Sequence, residues 1–219
     1  MCSIVCERVL DERRIAMLLA INPHNPQQRL IQQVVDRLKR GAIICYPTDT
    51  GYGIGCDFSC QKAVKRINQI KNRPKGKPFS FMCSDLKHIS NYAHVSNIAY
   101  RLLKRNLPGP YTFVLPGTKL VPKAMATKQK TVGIRVPENP ICQMLLETLG
   151  NPIINTSLPG DDDGLIASDP YDIDCLYGKL VDIVIDGGDV FSDPSSLVDL
   201  TGDYSVVLRE GKGDVTPFL

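Results

Sequence analysis

The chain has 219 residues, 43% of them hydrophobic and 22% charged, with a formal net charge of +3 at neutral pH. That size and balance suit a single globular domain with ample core and exclude both a disordered polyelectrolyte and a histone-like polycation, so affinity for nucleic acid would need local clustering of cations. No apolar run approaches the roughly 18 residues of a membrane span, and no signal-type apolar segment opens the chain, so the expectation is a cytoplasmic protein without a membrane partner.

Residues 1–16 carry the least coherent pattern, and Met17 stands directly before the strand-like Leu18-Leu-Ala-Ile. Residues 1–16 are therefore read as an extension, with Met17 the natural start and 17–219 one domain. Asn25 offers a cap and Pro26 a first helical position. Leu30, Ile31, Val34, Val35 and Leu38 then recur on one helical face until Gly41, a helix expected to cover a sheet. Ala42 to Tyr46 reads as a strand buried on both faces. The segment after it, Pro47-Thr-Asp-Thr-Gly-Tyr-Gly-Ile-Gly, suits either of two roles. It can present hydroxyls and bare backbone N–H groups to a ligand at the strand's carboxyl end, or it can be a hairpin that needs glycine for positive φ. It is not a phosphate loop of the Gly-Lys-Ser/Thr type.

Ser59 can cap the next helix, whose buried stripe is Ala63, Val64, Ile67 and Ile70. That helix delivers Lys71-Asn-Arg-Pro-Lys-Gly-Lys-Pro-Phe-Ser, with four cations in seven residues between restraining prolines. Cations on a stiffened loop at a junction between elements suit an anion site, because less entropy is lost when they converge. Phe79 to Cys83 follows as a strand, then helices over Asp85 to Asn91 and Asn97 to Asn106, and a strand over Tyr111 to Leu115. Thr131, Gly133 and Arg135 alternate onto one strand face, where a guanidinium beside a threonine suits a phosphate or carboxylate clamp. A short helix over Cys142 to Leu149 precedes the strand that leads into Asn155-Thr-Ser-Leu-Pro. Asp161 to Asp163 read as a solvated turn rather than an Mg2+ site. A helix near Pro170 to Tyr177 and strands over Val181 to Ile185, Ser196 to Leu200 and Ser205 to Arg209 complete an α/β domain built on a mixed, twisted sheet. The eight cysteines, which include Cys2/Cys6 and Cys56/Cys60 at x3 spacing, lack the close Cys and His pairs of a zinc site and are read as reduced thiols. No metal ligands are assigned.

Six motifs in order resemble the signatures of the YrdC family. They are the segment from Pro47 to Gly55, Lys71-Asn-Arg-Pro, Pro108-Gly-Pro-Tyr-Thr, Val132-Gly-Ile-Arg-Val-Pro, Pro194-Ser-Ser-Leu-Val-Asp-Leu-Thr and Leu208-Arg-Glu-Gly. The closing Arg-Glu-Gly-Lys-Gly-Asp-Val is similar to the YciO branch. The resemblance implies a twisted α/β fold with flanking helices and a basic concave surface. It also implies an activity that joins ATP, L-threonine and bicarbonate into threonylcarbamoyl-AMP, with Mg2+ travelling on ATP, for threonylcarbamoyladenosine formation in tRNA. Carried over by motif, Lys71 and Arg73 match the pair at the nucleotide phosphates, and with Ser157 they form the implied catalytic set. Thr131, Ser157 and Arg209 match nucleotide contacts, and Thr48, Thr50, Lys77, Arg135 and Ser195 would line the threonine side. The pattern departs at Pro159, where the synthase motif has Asn two residues after the serine. Losing a polar contact to a charged ligand costs roughly 1.5 to 3 kcal/mol, or ten- to a hundredfold in affinity or rate, so nucleotide binding with a weakened, altered or lost synthase step is expected. The alternative is a noncatalytic grip on double-stranded RNA by the basic surface.

Overall fold

Alternation along ten strands and apolar stripes on six helices build the residues that the computed structural model describes, 16–70, 80–121, 130–158 and 166–219. In chain order these begin with β1 (Met17–Ala20), α1 (Gln28–Lys39), β2 (Ile43–Thr48), β3 (Gly51–Asp57), α2 (Gln61–Ile70) and β4 (Ser80–Met82). They continue with α3 (Leu86–Tyr92), α4 (Asn97–Asn106), β5 (Tyr111–Pro116), β6 (Thr131–Arg135), α5 (Pro140–Leu149) and β7 (Ile153–Ser157). The last are α6 (Pro170–Tyr177), β8 (Ile183–Asp186), β9 (Ser196–Asp199) and β10 (Val206–Arg209).

All ten strands join one mixed sheet in the order β1-β8-β2-β3-β7-β4-β6-β5-β9-β10. Because successive residues of a strand point to opposite faces, the register sorts the side chains into two layers. On one face, Cys45, Ile54, Phe81, Ile134, Phe113 and Val198 form the larger core with Ile67 of α2, Ile89 of α3, Leu103 of α4 and Ile173 of α6. On the other, Ile44, Tyr46, Met82, Ile153, Ile183 and Ile185 pack under Val34 and Leu38 of α1 and Ile141 and Leu145 of α5. The helix read from Leu30 to Leu38 thus covers the sheet as expected.

Three local expectations change. Helix α1 starts at Gln28, two residues after Pro26, because the Asn22 side chain accepts the backbone N–H groups of His24 and Asn25 and turns the chain first. Helix α2 starts after Cys60, not at a Ser59 cap, since both the N–H and hydroxyl of Ser59 donate to Asp57 Oδ1. The glycine-rich segment takes the hairpin alternative. β2 and β3 pair from Ile43↔Cys56 to Thr48↔Gly51, and Gly51 has φ +115°, a conformation that side chains rarely adopt. The other helices start where short polar side chains cap them, with Asp85, Ser96, Asn139 and Asp169 each accepting a first-turn N–H. Among the described residues no helix is long and apolar enough to cross a membrane.

Candidate functional site

Among the described residues, helices α1 and α5 cover only one half of their face of the sheet. Following the register outward from that cover, the residues on the same face change from Ile153 to Asn155 and Ser157 on β7, and from Met82 to Ser80 on β4. On β6 they change from Arg135 to Gly133 and Thr131. Gly133 pairs with Ser80 on one side and with Val114 on the other. Further along, Leu197 faces Thr112 across the β5–β9 pair and Arg209 reaches Leu197 across the β9–β10 pair. This half of the face is a floor of glycines and hydroxyls. Ser157 and Arg209 are exposed, and Thr131, Gly133 and Ser80 half-buried.

One edge of this floor is the turn between β2 and β3. Arg135 crosses to it and donates from one terminal nitrogen to Asp49 Oδ1 at 2.6 Å and Thr50 Oγ1 at 2.7 Å. Both charged side chains are almost fully enclosed, at 8% and 7% exposure, so the pair is held with little screening by water. Asp49 also takes the Glu138 N–H on its second oxygen at 3.1 Å, and its carbonyl accepts from Lys212 Nζ at 2.7 Å. Inside the turn, Thr48 Oγ1 donates to the Gly51 carbonyl at 2.6 Å and accepts from the Thr50 N–H at 3.1 Å. Thr48 and Thr50 are therefore buried, and their hydroxyls shape the rim rather than stand free above it. The Arg135 clamp likewise closes on this chain's own carboxylate. Its Nε is buried with no hydrogen-bond partner.

The opposite edge is a second hydroxyl cluster. Ser195 Oγ lies 2.8 Å from Thr112 Oγ1, and Arg209 donates to the Ser195 carbonyl from Nε at 3.0 Å and from a terminal nitrogen at 2.7 Å. The tail after Arg209 is knitted against the same segment, with Gly211 N donating to Ser196 Oγ and Lys212 N to the Pro194 carbonyl.

Thr131, Ser157, Ser195 and Arg209 are thus brought to one face, with Thr48, Thr50 and Arg135 at its rim. Lys71, Arg73 and Lys77 lie outside the described residues, as do Pro159 and Asp161 to Asp163. Sequence reasoning missed Asp49, Thr112 and Asn155. Asp49 lay inside a quoted motif, and Asn155 was within reach by alternation, being two residues before Ser157. Burial pushes the Tyr46 hydroxyl and the Cys142 thiol well above their ordinary pKa values. Both groups stay neutral in the half covered by α1 and α5.

A model of the family that groups Sua5, YciO and YrdC, described as telomere recombination, matches residues 36–211. The chain belongs to this family. It is 50% identical over 202 residues to YciO of Escherichia coli, a match covering 91% of this chain and 97% of that protein. The crystal structure of E. coli YciO superposes with a TM-score of 0.87 at 48% identity, covering 93% of this chain and all of that one. More distantly, a threonylcarbamoyl-AMP synthase of Vibrio vulnificus is 33% identical over 130 residues, or 58% of this chain and 70% of the synthase. The structure of Pyrococcus abyssi Sua5 complexed with L-threonine has a TM-score of 0.78 at 28% identity, covering 90% of this chain and 58% of Sua5. The mixed α/β sheet is therefore the family's fold.

Proposed function

We propose that the open half of the sheet binds ATP and that the chain catalyses threonylcarbamoyl-AMP formation or a closely related nucleotidyl transfer. The observation that carries this reading is the placement of Thr131, Ser157, Ser195 and Arg209, from four different segments, on one half of a sheet face that no helix among the described residues covers. The synthase name among the relatives and the bound L-threonine of Sua5 support the choice of substrates.

In this reaction threonine and bicarbonate condense to a carbamate with loss of water. A carbamate oxygen then attacks the α-phosphorus of ATP, the bond to the bridging oxygen breaks, and pyrophosphate leaves. No protein nucleophile is needed. The protein's contribution is to position the reactants and to stabilise negative charge on the phosphates. Lys71 and Arg73 would meet that charge, Thr131, Ser157 and Arg209 would hold the nucleotide, and the rim of Thr48, Thr50 and Arg135 with Ser195 and Lys77 would frame the threonine side. Mg2+ would arrive on the phosphates of ATP. The product would serve threonylcarbamoyladenosine formation in tRNA. A grip on duplex RNA gains no support from the described floor, where the exposed guanidinium of Arg209 stands among hydroxyls and an amide rather than in a track of cations.

Incubation of the purified protein with MgATP, L-threonine and labelled bicarbonate tests the reading. Labelled threonylcarbamoyl-AMP and pyrophosphate are expected, and Lys71→Ala combined with Arg73→Ala should abolish ATP binding without shifting thermal unfolding. Neither product nor ATP binding at high protein concentration would overturn it.

A further inference from the structure

One row of paired residues crosses the open floor, reading Gly55, Asn155, Ser80, Gly133 and Val114 from β3 to β5. Asn155 is the one amide in it, with its side chain held at two points and its backbone at a third. The Tyr46 hydroxyl, itself fully buried, donates to Asn155 Oδ1 at 2.8 Å. That hydroxyl also lies 3.2 Å from Met82 Sδ, a weaker acceptor, so its proton goes to the amide oxygen. Gly53 leaves the space that Oδ1 fills, since a Cβ there would overlap it. Ser80 Oγ donates to the Asn155 carbonyl at 3.1 Å and fixes the strand beneath.

With Oδ1 turned toward Tyr46, the amide nitrogen is left on the other edge. Asn155 is only 5% exposed, and among the described residues no acceptor takes either N–H of Nδ2, an atom that is not among those sealed off without a partner. A donor on this edge gains most from a charged acceptor. A Cβ on Gly133 would meet only ordinary contacts, 3.4 Å to Thr112 Cγ2 and 3.7 Å to Ser80 Cβ. From β3 to β5 the row and its neighbours Thr131 and Ser157 carry no carboxylate, and the next residue of the row, Asp199 on β9, accepts the Thr201 N–H on Oδ1. An N–H donor on a stretch of sheet without carboxylates, beside the half-buried Gly133, suits an anionic oxygen brought close to the sheet.

We infer that Asn155 is a further ligand-binding residue of this site, donating from Nδ2 to a phosphoryl oxygen of a nucleotide that lies over Ser80 and Gly133. The inference rests on the ATP reading above. Tyr46 and Gly53 are positioning residues, because they act through the amide they orient.

Asn155→Asp separates the two edges of the side chain. A carboxylate still accepts from Tyr46 but replaces the donor with a negative charge. Calorimetric titration of the full chain with MgATP and with adenosine, beside thermal unfolding, reads the difference. Asn155→Asp should keep the wild-type unfolding temperature within a few degrees and weaken ATP binding by about a hundredfold, with adenosine affinity within about twofold of wild type. Asn155→Ala, which removes the donor without adding charge, should weaken ATP by about tenfold and carries the same comparison if the aspartate variant does not fold. Wild-type ATP affinity in both variants, or equal losses for ATP and adenosine, would overturn the assignment of Asn155 alone. Failure of the wild-type protein to bind ATP would remove the site reading together with it.

Discussion

Met82 and Ser80 sit two residues apart on β4 and point the same way, yet they belong to different regions of one face. Met82 is fully buried with Tyr46 and Ile153 under α1 and α5, whereas Ser80 lies on the half that no helix among the described residues covers. The same change occurs along β7 and β6, and in each strand it falls where the helical cover ends. A site here needs no insertion into the fold. It is what a sheet face becomes when apolar residues give way, at the same alternating positions, to glycines and hydroxyls. Arg135 lies at the boundary, with its neutralised charge reaching along the rim to Asp49.

This contrast can be broken at several points. The largest effect is expected for Arg135→Ala, which leaves the enclosed Asp49 carboxylate without its counter-charge. Loss of a buried pair member costs about 3 to 5 kcal/mol in urea unfolding. A cost below about 1 kcal/mol would mean that the boundary is not held by this pair. Next comes Ile153→Ala on the covered half, expected to cost about 2 to 4 kcal/mol, against less than about 0.5 kcal/mol for Ser157→Ala two residues away. Similar costs at both positions would erase the distinction between the halves. Gly133→Leu sharpens it from the other direction. A Cβ there meets only ordinary contacts, 3.4 Å to Thr112 Cγ2 and 3.7 Å to Ser80 Cβ, so unfolding should shift by no more than about 1 kcal/mol while MgATP affinity falls at least about tenfold, as read by titration.

The smallest effect belongs to the opposite face, at His88 on α3. Burial holds its imidazole below the ordinary pKa despite neighbouring Asp85, and Nδ1 lies 3.2 Å from Ser84 Oγ. A folded pKa below the unfolded one means stability that is present above the ordinary histidine value, near 6.5, and lost as pH falls through it. Unfolding measured from about pH 8 to pH 5 should show a slight fall that disappears in His88→Gln, with ATP affinity unaltered by the substitution.

Much of the architecture was legible because it depends on local periodicity. The stripe of Ile31, Val34, Val35 and Leu38 and the alternation from Thr131 to Arg135 lie where expected. Helix starts were less legible, since Asn22 and Asp57 outcompete the nearer Asn25 and Ser59 through hydrogen bonds that a linear pattern does not rank. The site was legible as motifs but not as geometry. Alternation alone puts Thr131, Gly133 and Arg135 on one face. It could not reveal that Arg135 is matched by a carboxylate 86 residues earlier, because that pairing depends on strand order. Asn155 was overlooked for a similar reason, since its neighbours Gly53 and Tyr46 become neighbours only through the β3–β7 and β2–β3 pairs.

The hydrogen bond from Lys212 to the Asp49 carbonyl spans 163 positions of the chain. A contact of that separation closes a very long loop and forms only after the intervening strands have found their places. During synthesis, the rim therefore acquires this tether only after the segment around Lys212 has left the ribosome, long after the hairpin carrying Asp49 has emerged.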